Sequence, residues 1–237
     1  GADGLYFDLD IGGLDGSQLS WTVNTSGSLR ATVSWRLPVS DRNRTYIDGW
    51  ITDKSKNVTR VTLHGPEARS QRNNNNPSRI TVPSLPQTFE LVGRDSSGNA
   101  VVKYGFVLKQ WFVDRSNRRN TAPNQTAWCN SLGYRLSRVR DLTNAVCSGW
   151  NINNNYPCTG AVGATPSSSN NVLMRHIGAG FFTEWGYMIS YADADFDNYG
   201  YWTSDATGSK QFYVSPGTGF VGSDRVSYSF LAVCTAP

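Results

Sequence analysis

The chain has 237 residues, carries a formal charge of +4 and contains only 17% charged side chains. This length allows one to two domains with sizeable cores, and the charge-poor composition favours β-rich structure over a helical bundle. The small positive charge is divided evenly between the two halves, and no apolar run reaches the length of a membrane span. We therefore expect no nucleic-acid partner, and no membrane-spanning segment within this sequence.

The first half predicts short β-strands, because apolar and polar residues alternate in several segments separated by turn-forming residues. Turn signals include 41–43 and the asparagine run 73–76, which we interpret as a flexible loop tip of this domain. About seven strands in about 105 residues is typical of an antiparallel sandwich, so 1–106 predicts an immunoglobulin-like β-sandwich. The predicted strands are 5–11, 29–37, 46–52, 58–63, 79–85, 88–92 and 100–107.

The second half, 107–237, predicts a mixed domain. A strand over 106–113 continues directly from the last sandwich strand, which implies a short, stiff junction because no Pro/Gly/Ser-rich linker separates the halves. Pro123 and Gly133 bracket a helix over 124–132, since proline favours helix starts and glycine favours helix ends. The other predicted elements are a helix over 138–145 with Ser137 as its N-cap, a loop over 149–171, a helical turn over 172–177, and strands over 199–203, 211–215 and 226–234.

All four cysteines, Cys129, Cys147, Cys158 and Cys234, lie in the second half. None belongs to a C-x-x-C pair, so we interpret them as disulfide partners and not as zinc ligands, which places the protein outside a reducing cytosol. Four cysteines allow three pairings. We favour Cys129–Cys234 around Cys147–Cys158, because the short inner gap suits a local loop closure. No secretion signal opens the chain, so we interpret it as a segment of a longer exported protein.

Five short motifs in the second half carry a resemblance to a known family. They are Trp128-Cys129, Leu132-Gly133-Tyr134-Arg135-Leu136, Glu184-Trp185-Gly186, Tyr201-Trp202-Thr203-Ser204 and Phe230-Leu231-Ala232-Val233-Cys234. Together they resemble the C-terminal tip of the intimin/invasin adhesins of Gram-negative bacteria. In that family an outer-membrane β-barrel exports a rod of immunoglobulin-like domains that ends in a C-type-lectin-like domain.

The resemblance covers the whole chain and implies its fold class. We expect an all-β immunoglobulin-like sandwich over 1–106, followed by an α+β C-type-lectin-like cap domain over 107–237. The outer cysteine pair, Cys129 and Cys234, matches the bond by which such domains join their first helix to their last strand. Cys147 and Cys158 are an addition that the resemblance does not cover.

The resemblance also implies a role in cell adhesion and virulence. We expect the distal tip of a bacterial cell-surface adhesin, anchored upstream in the outer membrane, that binds a host protein through loops of the cap. An integrin-like receptor and immunoglobulin are partners of the kind that the family binds. We further expect a monomer. The alternatives are a carbohydrate-binding lectin and a biofilm or interbacterial contact module.

No cofactor or metal is expected, because the Glu-Pro-Asn, Gln-Pro-Asp and Trp-Asn-Asp triplets of calcium-dependent lectins are absent. Asp193, Asp195 and Asp197 do have the 1, 3, 5 spacing of a calcium loop, but the glycine and glutamate that an EF-hand would add are missing. We interpret them as a solvated acidic loop.

The sequence offers little for catalysis, so we expect no enzyme. There is no Ser/His/Asp elbow, phosphate loop or zinc motif, and His64 and His176 are interpreted as structural. Glu184 is the one glutamate of the cap. Paired with Asp193 or Asp197 it would suit a glycosidase, but its apolar neighbours favour a role in accepting hydrogen bonds from backbone amides.

The binding candidates are aromatic residues interleaved with aspartate and asparagine, the composition of protein-recognition surfaces. We expect most of Phe181, Phe182, Trp185 and Trp202 to be core residues. Arg115, Arg118 and Arg119 form a further, charged candidate patch. The main candidates are Trp150, Asn153 and Tyr156 in the loop and Tyr187, Tyr191, Asp193, Asp195, Phe196, Asp197 and Tyr199 in the Asp-rich stretch.

Overall fold

The computed structural model describes residues 1–40 and 46–236, and the chain divides into two compact units. The predicted turn at 41–43 lies outside the described residues. The first unit comprises Gly1–Glu67, Val82–Trp111 and Ser190–Ala194, and the second comprises Ala68–Thr81, Phe112–Ile189 and Asp195–Pro237. In both units β-strands outnumber helices. The predicted domain division between 106 and 107 stays a prediction.

The first unit contains two three-stranded antiparallel sheets, of order β1-β4-β3 and β2-β5-β6. Phe7 of one sheet contacts Phe106 of the other, with ring centroids 5.4 Å apart, and Phe106 stacks on Phe89 at 4.6 Å. The two sheets therefore share an apolar core. The strands are β1 (Tyr6–Leu9), β2 (Ser20–Thr25), β3 (Arg30–Arg36), β4 (Val58–His64), β5 (Gln87–Arg94) and β6 (Ala100–Leu108).

Two strands predicted for this unit are wrong, and β2 was missed. Residues 46–50 form turns, because Asp48 adopts a left-handed backbone with φ of 50° and its carbonyl accepts a hydrogen bond from the amide of Ile51 at 2.9 Å. No strand forms over 79–85. Proline has no amide to donate to a ladder, and Pro83 lies in the middle of this segment.

The turn at 46–50 carries a buried charge network. Arg60 of β4 donates to Asp8 at 2.8 Å and 2.9 Å and to Asp48 at 3.2 Å. The hydroxyl of Tyr6 donates to Asp48 at 2.7 Å, and the amide of Val39 donates to the other oxygen of that carboxylate at 2.7 Å. Asp48 is fully buried. The apolar-polar alternation that predicted a strand here instead places a carboxylate inside the unit.

The second unit is built on a sheet of order β11-β10-β9-β12-β7, with β8 also paired to β12. The β9–β12 pair is parallel and the other pairs are antiparallel. Its elements are β7 (Phe112–Asp114), α1 (Ala122–Leu132), β8 (Arg135–Leu136), α2 (Val139–Leu142), α3 (Phe181–Trp185), β9 (Tyr201–Thr207), β10 (Lys210–Val214), β11 (Val221–Arg225) and β12 (Leu231–Thr235).

Two strands predicted as continuous are divided. The strand expected over 106–113 is interrupted after Leu108, and β7 begins at Phe112. The strand expected over 226–234 is replaced by a turn followed by β12, because the amide of Tyr228 donates to the carbonyl of Arg225 at 2.9 Å.

The short helices also differ from their predictions. α2 is shorter than the helix expected over 138–145, and its N-cap is Arg138. Ser137 does not cap it, because its hydroxyl donates to the carbonyl of Val233 at 2.8 Å. The turn expected over 172–177 is not helical, whereas α3 was missed.

Both expected disulfides are confirmed, Cys129–Cys234 and Cys147–Cys158, each with a Cα–Cα distance of 5.4 Å. The core of the second unit is aromatic: Phe181, Phe182 and Trp202 are buried as predicted, and Trp185 is half-buried. Within the described part of the chain, no helix has the length and apolarity needed to cross a bilayer.

Candidate recognition surface

The loop over 149–171 contains no helix or strand, and two fully buried asparagines stabilise it from inside. The carboxamide of Asn171 donates to the carbonyl of Val221 at 2.8 Å and accepts from its amide at 3.0 Å. A side chain thus makes both of the bonds that a neighbouring strand would make. The Cys147–Cys158 bond closes the first part of the loop.

Asn144 stabilises the end of the loop and the residues that follow it in the same way. Its Nδ2 donates to the carbonyls of Pro166 and Met174, both at 2.9 Å, and its Oδ1 accepts from the amide of Met174 at 3.0 Å. Sequence reasoning missed Asn144 and Asn171 as positioning residues. Their short-range context does not distinguish them from the many exposed asparagines of this chain, because their partners lie 20 to 50 residues away.

The loop presents large side chains to solvent. Trp150 is 66% exposed and Tyr156 is 41% exposed. Asn153 is exposed as well, and its side chain accepts the amide of Asn155 at 2.9 Å. All three loop candidates are therefore accessible.

In the Asp-rich stretch the candidates alternate between surface and interior. Tyr187 and Tyr199 are exposed, but Tyr191 and Phe196 are only 7% exposed. Two of the rings named as binding candidates therefore face the interior and not solvent. Within 191–197 inward-facing residues alternate with the outward-facing carboxylates, so that acidic and aromatic side chains can share one short segment.

Each buried ring has aromatic partners. Phe196 lies 5.6 Å from Phe181 and 6.1 Å from Tyr201. In the first unit, Tyr191 lies 5.1 Å from Tyr6 and 5.1 Å from Trp50. Aromatic pairs at these separations stabilise a core beyond the area they bury, which accounts for the inward orientation of both rings.

The exposed carboxylates serve as hydrogen-bond and ion-pair acceptors. Asp195 accepts from Arg72 at 2.9 Å and from the hydroxyl of Ser116 at 2.8 Å. Asp193 and Asp197 are exposed. Among the described residues, no three or more His, Cys, Asp or Glu side chains converge in a way that could hold a metal ion.

A row of rings connects the aromatic candidates of the 149–171 loop with those of the Asp-rich stretch. In the sequence these two groups are separate. Tyr156 lies 6.3 Å from Tyr213, Tyr213 stacks on Phe230 at 4.3 Å, and Phe230 lies 5.4 Å from Tyr199. The two inner rings are buried and the two end rings are exposed. We call Tyr156, Tyr213, Phe230 and Tyr199 the aromatic row.

The arginine patch lies beside one end of this row, since the guanidinium of Arg119 lies 4.6 Å above the ring of Tyr199. Arg115, Arg118 and Arg119 line one cleft together with asparagines of the 73–76 run. That run belongs to the second unit, so its placement as a loop tip of the sandwich is wrong. Its neighbours in space come from a distant part of the sequence.

The groups considered for catalysis have structural partners. Oε2 of Glu184 accepts the amide of Gly178 at 2.8 Å, as predicted for this carboxylate. His64 contacts the hydroxyl of Thr32 at 2.8 Å, and Nδ1 of His176 lies 2.8 Å from the carbonyl of Ile177.

No protein-family model matches this chain, and no curated protein matches it. The crystal structure of invasin, a bacterial integrin-binding protein, is similar to it with a TM-score of 0.53 and 11% sequence identity. The similarity covers 99% of this chain and 34% of the invasin chain, so this chain spans about a third of that protein's length. At this identity the likeness shows the fold alone: the chain has an invasin-like, mostly β fold with few helices.

Proposed function

We propose that this chain is the distal tip of a bacterial cell-surface adhesin and that it binds a host protein without catalysis. The observation that carries the proposal is the aromatic row, whose exposed ends, Tyr156 and Tyr199, lie on either side of a buried pair of stacked rings. The binding surface comprises these ends together with the exposed Trp150 of the disulfide-closed loop. The longer protein carries it on the cell surface, anchored in the outer membrane.

The exposed aromatic side chains favour binding because ordering them in a complex costs little conformational entropy. Tyrosine and tryptophan supply large contact areas with few rotatable bonds, and they dominate binding hot spots. The loop that carries Trp150 is already ordered by Asn144, Asn171 and the Cys147–Cys158 bond. Binding therefore avoids much of the cost of ordering a loop, and this preorganisation favours a tight complex.

The fold likeness supports the same proposal by analogy. Invasin, the similar solved structure, is an integrin-binding protein. The candidate partners are an integrin-like receptor or another host protein such as immunoglobulin, and the likeness, which extends over nearly the whole of this chain, supports the first of them. A shared fold does not by itself establish a shared function, so the likeness to invasin limits only the class of partner.

The experiment measures binding of the chain to purified integrin ectodomain, to immunoglobulin and to host-cell membranes. The variants Tyr199→Ala and Trp150→Ala should each weaken a complex by about 2 kcal/mol, a factor of about 30 in Kd. Tyr228→Ala is the matched control, because this tyrosine is 54% exposed but lies outside the aromatic row. Affinities that stay the same in both test variants would place the site elsewhere.

A chelator arm separates this proposal from calcium-dependent sugar binding. Protein recognition through the aromatic row needs no calcium on this chain, so affinity should be unchanged when EGTA removes calcium and Mg²⁺ is kept. Loss of binding in EGTA would instead favour a calcium-dependent lectin. Clumping of cells that display the chain, in the absence of host protein, would favour a contact module between bacteria.

A further inference from the structure

A polar cleft of about 330 Å³ opens on the second unit. Every described residue that lines it is an arginine or an asparagine. Its lining is Asn73, Asn75, Arg115, Asn117, Arg118, Arg119 and Asn120.

Arg115 is buried at the cleft, with 2% of its surface exposed. Its guanidinium donates to three acceptors, and all of them are neutral: the carbonyl of Arg72 at 3.1 Å, Oε1 of Gln125 at 2.9 Å and Oδ1 of Asn75 at 3.2 Å. It also lies 4.9 Å above the ring of Trp128. A buried cation whose hydrogen-bond acceptors are all neutral has no negative charge beside it. Such a charge costs free energy in the folded state.

The other charges of the cleft have the same sign. Burial, followed by the positive charge of Arg118, lowers the pKa of Arg115 to about 10. Among the described residues, no carboxylate forms an ion pair with Arg115, Arg118 or Arg119. Three arginines that line one cleft carry charge of one sign, so an anion that enters the cleft relieves their repulsion and meets planar donors suited to oxyanions.

The neutral side chains of the lining favour a hydroxyl-rich anion. Asn73 and Asn117 are exposed, and in the described part of the chain neither carboxamide makes a hydrogen bond. Each offers donors and an acceptor, which match the hydroxyl groups of a sugar. The cation–π contact with Tyr199 orients Arg119 at the cleft wall. A peptide would find no apolar pocket here in which to anchor a side chain.

We propose that this cleft binds an anionic saccharide, with its carboxylate or sulfate facing the arginines and its hydroxyl groups facing the asparagines. The volume is at the lower end of the range for small-molecule sites and suits one or two sugar rings. The inference does not depend on whether the aromatic row binds a protein.

The test measures binding of sialyllactose, of a sulfated heparin disaccharide, of neutral lactose and of the acidic peptide hexaglutamate to the whole 237-residue chain by calorimetry and by NMR shift perturbation. The variant is Arg118→Gln with Arg119→Gln, which leaves the buried Arg115 in place. Arg225→Gln with Arg140→Gln is the charge-matched control, since both arginines are exposed and lie outside the lining. Circular dichroism checks that all three proteins are folded.

We expect binding of at least one anionic sugar and none of lactose. Binding should weaken by about tenfold or more in the test variant, remain unchanged in the control and fall at high salt. Whichever anionic sugar binds identifies the group as carboxylate or sulfate. Absence of binding by both anionic sugars, equal affinity in the test variant, or tighter binding of hexaglutamate than of either sugar would overturn the proposal.

Discussion

Asp48 and Asp114 are two aspartates whose surroundings have opposite effects on their pKa values. Burial acts to raise the pKa of Asp48, but hydrogen bonds from the Val39 amide, Arg60 and Tyr6 outweigh it, so that the pKa is lowered. Burial raises the pKa of Asp114 well above its ordinary value, and the charge of Asp195 acts in the same direction. Neither carboxyl oxygen of Asp114 has a hydrogen-bond partner at ordinary geometry.

We predict that Asp48→Asn destabilises the first unit, because it leaves the buried Arg60 without one of its two carboxylate partners. Removing one member of a buried ion pair costs about 3–5 kcal/mol. A lowered pKa means that the stability from Asp48 is present above the ordinary carboxyl pKa and is lost as pH falls through the folded-state pKa. The variant and the wild type should therefore converge in acid.

Urea unfolding followed by tryptophan fluorescence, at neutral and at acidic pH, measures this difference. Asp10→Asn is the control, because Asp10 is exposed and accepts only a local amide, that of Gly12, at 3.0 Å. A loss at neutral pH that matches the control would contradict the assigned role of Asp48.

For Asp114→Asn we predict the opposite sign. A raised pKa means that the contribution of Asp114 to stability is full at low pH and is lost as pH rises through the folded-state pKa. Asparagine resembles the protonated acid, so at pH 7 the variant should unfold at a higher temperature than wild type and be more stable by about 1 kcal/mol or more. The difference should shrink towards acidic pH. Thermal scans at several pH values, with Asp224→Asn alongside, check this; a variant that is less stable at pH 7 would refute it.

The loop over 149–171 is stabilised by a cross-link and by side-chain amides in place of secondary structure. We predict that Cys147→Ser with Cys158→Ser lowers the stability of the second unit by about 3 kcal/mol, the chain-entropy value for a loop this short. Hydrogen exchange at 149–157 should rise. Exchange in α1 should rise less, because the Cys129–Cys234 bond remains. Unchanged exchange in the loop would show that Asn144 and Asn171 alone are sufficient to order it.

The elements that could be predicted are those specified by local chemistry. α1 was predicted because Pro123 and Gly133 mark its ends, and Gly133 adopts a φ of 86°, which favours glycine. α3 could not be predicted in this way, since five residues are too few to show a helical period. The strand expected over 46–52 is wrong because Asp48 lies in a turn, where its buried partner is Arg60 of β4, a residue that the local sequence pattern does not reveal.

The candidate site likewise has features that local sequence predicts and features that depend on residues distant in sequence. Trp150 and Tyr199 were predicted as binding candidates from the composition around them, and both side chains are exposed. The aromatic row could not be predicted, because it depends on Tyr213 and Phe230, which lie in separate parts of the sequence and are brought together only by the fold. The burial of Tyr191 depends likewise on rings from the beginning of the chain.

On the scale of the whole molecule, neither unit is one continuous stretch of sequence. The second unit includes Ala68–Thr81, which precede part of the first unit in the chain. Thr81 accepts a hydrogen bond from the hydroxyl of Tyr134 at 2.7 Å, and the amide of Ile80 donates to Leu132 at 3.1 Å. Through these hydrogen bonds the segment Ala68–Thr81 packs against the C-terminal end of α1 and against Tyr134, which follows it.

We predict that a fragment of residues 107–237 is less stable than one of residues 66–237, because it lacks Ala68–Thr81. Each lost hydrogen bond to a buried group costs about 1–3 kcal/mol, and Arg115 would lose two of its three acceptors. Thermal unfolding of the two fragments, each compared with the full chain, measures the difference. Equal melting temperatures would show that the segment contributes nothing to the unit.

The Cys129–Cys234 bond has a mechanical consequence. Its cysteines are 105 positions apart in sequence but 5.4 Å apart between Cα atoms. A pulling force applied at the two ends of the chain passes directly across this bond, so about 350 Å of contour length cannot be extended while the bond is intact. Trp150, Tyr156 and Tyr199 all lie within the shielded length. When the surface proposed to hold a host cell bears the load, the force enters this closed loop at Cys129 and is shared by two covalent paths, one on each side of the bound residue.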